Sequence, residues 1–341
     1  MAGSGHKRNL GIGASFLGVL AALALGNALL ERTAAAQAKS AVQAPIFHVD
    51  PFWPKPLPNH WLLGSAIGVA VDAKDHVLVV HRGGSTLNAR TEMGAATTPP
   101  SAEACCVPAP PILEFDQAGN LVRHWGGPGE GYEWPASNHG LAVDHKGNVW
   151  IGGNDEKDAH VVKFTADGKF LMQVGHRGQG KGSLDQENFG SVAKIFIDPR
   201  ANEAYVADGY RNKRVVVIDA DTGKFKRMWG AYGNKPDDTD LGKYDPEAPP
   251  AQQFRNPVHC SELSTDNLVY VCDRANDRIQ VFEKDGKFVK ETFIAKKTLG
   301  DGSVWDIAFS RDPAQKYMYL ADGKNEKVYV MDRATLEILT S

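Results

Sequence analysis

Five times along the chain the same four-part pattern returns, and few folds are open to a chain built that way. The first run of each unit reads IGVAVD (67–72), HGLAVD (139–144), AKIFID (193–198), HCSELS (259–264) and WDIAFS (305–310). The second reads VLVVHR (77–82), VWIGGN (149–154), AYVADG (204–209), VYVCDR (269–274) and MYLADG (318–323). The third reads ILEFD, VVKFT, VVVID, IQVFE and VYVMD, and the fourth NLVRHWG, KFLMQVG, KFKRMWG, KFVKETF and LEILTS. Short apolar runs rich in β-branched residues, punctuated by Asp, Gly and Asn, are strands joined by tight turns. A four-strand unit cannot bury its faces alone, so such units stack as blades of a β-propeller. A β-sandwich is the competing reading, and the regular four-strand period argues against it.

One further strand is expected at PIFHVD (45–50), ahead of the first unit. Propellers commonly close by pairing an amino-terminal strand with the last blade. The last complete unit ends at Leu339. The expectation is therefore an all-β, six-bladed propeller with five blades visible and the last truncated at the C-terminus. Residues 39–65 form an amino-terminal arm and 66–341 the propeller. Two inserts, about 83–110 and 230–257, stretch the spacing of the units, and long loops on a rigid ring usually shape a binding face.

Residues 1–38 stand apart. A basic start (His6, Lys7, Arg8) precedes an uncharged apolar run at 10–30 and the small-residue segment TAAAQA at 33–38. That order is a secretory signal, cleaved after Ala36 or Ala38. It implies a secreted or periplasmic protein with no stable membrane insertion, and an uncleaved anchor is the competing reading. With 42% hydrophobic and 23% charged residues, the chain is neither disordered nor a polytopic membrane protein. A net charge of −3 gives no electrostatic case for binding nucleic acid. A monomer is expected. Export makes disulfides feasible. Cys260 and Cys272 would face each other across a hairpin as a disulfide or as buried thiols. Adjacent Cys105 and Cys106 would form a vicinal disulfide or tether the loop.

Registering the units exposes a candidate site. Five residues before the end of each first run stand Ile67, His139, Ala193, His259 and Trp305. Equivalent positions on first strands converge on the propeller axis. His139 and His259 fall in alternate blades, and the third alternate on a six-bladed ring is the sixth. Three imidazoles with an open fourth position make a catalytic type of zinc site. Two unrelated histidines are the bland alternative. The second runs close with Arg82, Asn154, Gly209, Arg274 and Gly323. Arg82 and Arg274 face each other across such a ring and suit a substrate carboxylate, although either could instead pair with an Asp of the adjacent blade. Tyr210 lies one residue past that register, where a neighbouring cation would lower its pKa and make it a base. The other histidines near turns, among them His76, His81 and His160, read as solvated or locally hydrogen-bonded.

The runs VAVDAKDHVLVVHRG (69–83), HGLAVD (139–144), DGYRNKRV (208–215) and DRANDRIQVF (273–282) resemble the peptidyl-α-hydroxyglycine α-amidating lyases, which are NHL-repeat propellers. The resemblance spans roughly residues 62–339. It implies zinc at His139 and His259, with a third ligand that this chain lacks. It implies catalytic roles for Tyr210, Arg82 and Arg274. It also implies a structural calcium held partly by the backbone carbonyls of Val69 and Leu141. The implied reaction cleaves the C–N bond of an N-acyl-α-hydroxyglycine, a small molecule or peptide carrying a carboxylate, to an amide and glyoxylate. The alternative is a non-catalytic extracytoplasmic propeller that binds a ligand or protein partner.

Overall fold

Each repeat unit folds as one four-stranded antiparallel sheet, with the strands in sequence order from the axis outward. The computed structural model describes residues 44–341 except Ala104, together with Leu23 and residues 25–27, which are helical. The signal assigned to 1–38 otherwise lies outside the described residues. Among the described residues no helix is long and apolar enough to cross a membrane. Blade 1 comprises Ser65–Val71, Val77–Arg82, Ile112–Phe115 and Leu121–Trp125. Blade 2 comprises Asn138–Val143, Val149–Gly153, His160–Phe164 and Phe170–Gly175. Blade 3 comprises Val192–Asp198, Glu203–Asp208, Arg214–Asp219 and Phe225–Trp229. Blade 4 comprises Val258–Leu263, Leu268–Asp273, Arg278–Glu283 and Phe288–Phe293. Blade 5 comprises Asp306–Phe309, Tyr317–Asp322, Lys327–Asp332 and Ile338–Thr340.

The core lies in the seams between blades. Strand residues alternate between the two faces of each sheet, so each blade offers an apolar face to both neighbours. Leu78, Val80 and Ile112 of blade 1 meet Leu141, Ile151 and Phe164 of blade 2. Comparable clusters fill the seams between blades 2 and 3, 3 and 4, and 4 and 5. Fully burying one such side chain contributes roughly 1.5–3 kcal/mol. The seams are therefore what hold the inner strands in register.

Between blade 5 and blade 1 the pattern changes. Val69 on the inner strand of blade 1 is 59% exposed, whereas Leu141 at the same register of blade 2 is 4% exposed. Val328 on the third strand of blade 5 is 55% exposed, while Ile112, Val215 and Ile279 at that register are fully buried. The segment 45–50 is not a strand. A closing strand needs a ladder partner for its backbone, and this stretch takes none. Phe47 sets its ring edge-on against Tyr319 of blade 5, and the chain turns where Asp50 Oδ1 accepts the Phe52 N–H at 2.9 Å. Beyond the turn, Trp53, Leu57 and Trp61 pack against Leu113 and Phe115 of blade 1. Further down, Arg311 and Asp75 form a mostly exposed ion pair across the gap.

Two buried ion pairs brace the loops between the second and third strands of blades 3 and 4. Asp208 accepts from Arg214 Nε at 2.8 Å and Asp273 from Arg278 Nε at 2.7 Å, all four side chains being fully buried. The guanidinium of Arg214 also donates to the carbonyls of Ser183 and Asn188, at 2.9 and 2.8 Å. Cys260 pairs with Cys272 across the first two strands of blade 4, and Cys105 pairs with Cys106 in the first insert. Removing one partner of a buried pair leaves an uncompensated charge. Asp208→Ala is thus expected to lower the unfolding free energy by about 3–5 kcal/mol, measured by urea titration.

Candidate functional site

The axial histidines owe their direction to a break in the sheet. Val258 pairs with Asp273 and Cys260 with Cys272, so His259 is the extra residue of a β-bulge. The register slips at the same place in blades 1, 2 and 3. A bulge re-aims a side chain. Here it turns the register residue of the inner strand toward the axis in blades 1 to 4, and only blades 2 and 4 place histidine there.

Each imidazole is then fixed by the following blade. His139 Nδ1 lies 2.7 Å from the carbonyl oxygen of Ala193, and His259 Nδ1 reaches the carbonyl oxygen of Trp305. A carbonyl can only accept, so both Nδ1 atoms carry the proton and both Nε2 atoms present a lone pair. Those lone pairs converge. Tyr210 Oη sits 2.8 Å from His139 Nε2 and 3.0 Å from His259 Nε2, and the two imidazole centroids are 5.1 Å apart. Burial, reinforced by the neighbouring His259, pulls His139 down to about 3. Burial and the charge of Arg274 bring His259 to about 3 as well. Both rings are neutral at any physiological pH.

One phenol hydrogen cannot serve two lone pairs. Tyr210 donates to one imidazole and leaves the other facing an oxygen with no hydrogen between them. A cation at the axis would relieve that mismatch, and neutral imidazole nitrogens oriented by carbonyls are the donors zinc takes. The two histidines therefore fit zinc. The Tyr210 phenol differs from the expected activated base. Burial raises its pKa, and Arg274, Asn154 and Arg82 only partly offset that rise.

The arginines complete the site. Arg82 donates from Nε to the Asn138 carbonyl at 2.9 Å and from Nη2 to Asn154 Oδ1 at 2.6 Å. Arg274 donates from Nε to the Asp301 carbonyl at 2.8 Å, and the Asp301 carboxylate is 3.9 Å from Nη2. Its guanidinium lies 4.7 Å from the Trp305 ring centroid and 5.8 Å from that of Tyr210. Among the described residues Arg82 thus makes no ion pair with a carboxylate, feeling Asp158 only at longer range, and Arg274 has only a loose one, so both charges stay available to an anion.

The loop carrying Tyr210 is pressed against the strand carrying His259. A Cβ on Gly209 would stand 2.0 Å from the Val258 carbonyl oxygen, which leaves room for glycine alone. Asn256 Nδ2 donates to the Gly209 carbonyl at 2.9 Å, and Asp208 accepts the Gly190 N–H at 2.6 Å.

No family model matches the chain. Its homologues include peptidylglycine α-amidating enzymes and NHL-repeat proteins. It is 29% identical to mouse peptidyl-glycine α-amidating monooxygenase over 255 residues, which is 72% of this chain and 23% of the mouse protein. It is 24% identical over 320 residues to mouse NHL repeat-containing protein 3, covering 91% of this chain and 74% of that one. A probable peptidyl-α-hydroxyglycine α-amidating lyase of Caenorhabditis elegans is 23% identical over 221 residues, covering 64% and 56% of the two chains. The chain thus spans under a quarter of the length of the amidating monooxygenases it matches. Among solved structures, Staphylococcus aureus virginiamycin B lyase aligns at 15% identity with a TM-score of 0.48, covering 83% of this chain and 70% of that one. That degree of likeness carries no functional argument.

The structure brings His139, His259, Tyr210, Arg82 and Arg274 to one place. Val69 and Leu141 lie elsewhere, lining a cavity of about 640 Å³ formed by the inner strands toward their far ends. Asn154 joins the site without having been singled out. Its Oδ1 holds Arg82 and Ser137 Oγ, the latter at 2.8 Å, and it acts on the Tyr210 phenol. Its signal was its place in the same register as the arginines. His81 and His160 are fully buried rather than solvated, each bonded to a backbone carbonyl, Pro110 at 2.9 Å and Glu133 at 2.7 Å.

Asp72, His76 and Glu114 gather ligand atoms within 4.8 Å of one another at the far end of blade 1 and could hold a metal. His76 Nδ1 is 2.8 Å from Glu114 Oε1, and Arg123 Nε approaches Glu114 Oε2 at 3.5 Å. In blade 2 the corresponding place is taken by Lys163 and Asp144 at 3.3 Å, so this register serves as an ion-pair position in both blades.

Gly209→Ala is expected to displace Tyr210 from the two imidazoles. Its cost should appear as a changed Tyr210 environment by ultraviolet difference spectroscopy and a lowered Tm, with far-UV circular dichroism retained.

Proposed function

We propose that the chain is a zinc-dependent carbon–nitrogen lyase acting on an N-acyl-α-hydroxyglycine or a similar α-hydroxy amide. The observation that carries this reading is the convergence of two neutral imidazole lone pairs on one phenol, between two arginines available to an anion. The similarity to amidating enzymes, and to a probable lyase of that type, supports it.

In this reading His139 and His259 would hold zinc, which would supply Lewis acidity to the substrate hydroxyl. Arg82 or Arg274 grips the substrate carboxylate and orients the carbon that bears the hydroxyl. Tyr210 takes the hydroxyl proton as a phenolate; the two arginines favour its ionisation only in part against burial, and a bound zinc ion would supply the further positive charge that its ionisation needs. The freed O–H electron pair forms the second carbon–oxygen bond. The C–N bond breaks with its pair on nitrogen, and that nitrogen takes the proton back from the phenol. The products are an amide and glyoxylate, and no oxidant or reductant is consumed.

The proposal includes a six-place ring. The exposed faces of Val69 and Val328 border the sixth place, between blades 5 and 1. A sixth blade there would have to part the Arg311–Asp75 pair that now joins blades 5 and 1, and would bring its own bulge residue to the third alternate position beside His139 and His259, where a third zinc ligand would belong. We further propose export to the periplasm or beyond the cell through the amino-terminal segment, and action as a monomer.

Elemental analysis tests the metal. Purified protein is expected to carry about one zinc per chain, lost in both His139→Ala and His259→Ala. Glyoxylate release from an N-acyl-α-hydroxyglycine tests the chemistry, and Tyr210→Phe is expected to lower kcat by about 10²–10⁴-fold. Zinc-loaded, folded protein that releases no glyoxylate would refute the lyase assignment.

A further inference from the structure

One residue past the histidine register, the inner strands carry a second axial feature. Lys194 of blade 3 stands next to Ala193, whose carbonyl orients His139. Asp306 of blade 5 stands next to Trp305, whose carbonyl orients His259. The Lys194 ammonium bridges the two blades. It lies 2.5 Å from Asp306 Oδ1 and 2.7 Å from Glu262 Oε1 of blade 4. It also points at the carbonyl of Ile307, at 3.4 Å. Ile307 holds in blade 5 the register that Val69 and Leu141 hold in blades 1 and 2. Val69, Leu141, Lys194, Glu262 and Ile307 line the same cavity.

This donor set is already balanced by one positive charge. Two carboxylates and a carbonyl converge on a single ammonium, and the Lys194 and Glu262 side chains are largely buried. Burial lowers the ammonium's pKa, but Asp306 and Glu262 outweigh it and hold Lys194 above the ordinary lysine value. Burial pushes Glu262 up, and Lys194 pulls it back only in part. A divalent cation entering here would face a fixed ammonium and would have to take the oxygens that already hold it. Calcium takes six to eight oxygens, and the two carboxylates it would need most are engaged. The residues present therefore do not fit the structural calcium that the family resemblance implies at Val69 and Leu141.

We propose that Lys194 is the resident axial cation of this propeller, occupying with its ammonium the place that a divalent cation would otherwise take between Glu262, Asp306 and the channel-lining carbonyls. The inference stands independently of the lyase reading. By tying blade 3 to blade 5, the ammonium also fixes the distance between the two strands whose carbonyls orient the histidines.

The test is thermal unfolding of the full chain with and without millimolar calcium. Wild type is expected to show no calcium-dependent shift in Tm that relies on Glu262. Lys194→Met is expected to have a lower Tm than wild type and to recover about 5 °C with calcium present in hundredfold excess over its Kd. The double variant Lys194→Met/Glu262→Gln should lose that recovery. A wild-type shift abolished by Glu262→Gln would overturn the proposal, because a divalent ion would then bind with the ammonium in place. So would a folded Lys194→Met protein indifferent to calcium. The wild-type and Glu262→Gln measurements decide the matter even if Lys194→Met fails to fold.

Discussion

The hydrogen bond from each axial imidazole to the backbone carbonyl of the following blade is the contact on which the site depends. It joins fold to chemistry directly. The carbonyl lies in an inner strand (Ala193) or at the residue leading into one (Trp305), and each strand is held by its own seam, so the carbonyl's position is set by the packing of two neighbouring blades. It dictates which ring nitrogen carries the proton, and therefore which nitrogen is free. Without it either imidazole could rotate or exchange tautomers, and the convergence of the two Nε2 atoms on Tyr210 would be lost.

Everything else arranges the surroundings of that convergence. The bulge turns the histidines inward. The bracing of Asp208 against Arg214, with the glycine that follows Asp208, brings Tyr210 against the strand of His259. Arg82 and Arg274 spend their donors on carbonyls and an amide rather than on close carboxylates, which leaves net positive charge around neutral rings. Further along the axis the arrangement reverses: Lys194 is paired with the carboxylates of Glu262 and Asp306. The two ends of one axis thus offer opposite environments, one open to an anion and one already neutralised.

Much of this was legible in the residues. A propeller maps repeat position onto spatial position, so aligning the units was enough to bring His139 and His259 together, and Arg82, Tyr210 and Arg274 with them. Asn154 stood in the same alignment but carries no charge to draw attention. Lys194, Glu262 and Asp306 lie one, three and one positions past the histidine register, at a different height of the inner strands, where aligning that register alone does not reach. The strand expected at 45–50 failed for a different reason. β-pairing depends on an available edge, which an isolated apolar run does not reveal. The phenol of Tyr210 showed the limit of charge counting, since nearby arginines favour its ionisation but burial outweighs them in the metal-free site.

Nitrogen-15 NMR of the His139 and His259 rings in metal-free protein, followed from pH 5 to pH 8, tests the central claim most directly. Both rings should remain neutral across the range, with the proton on Nδ1 and Nε2 unprotonated, because burial has drawn both down to about 3. A ring that becomes charged within that range, or that carries its proton on Nε2, would contradict the carbonyl-oriented pair and the site built upon it.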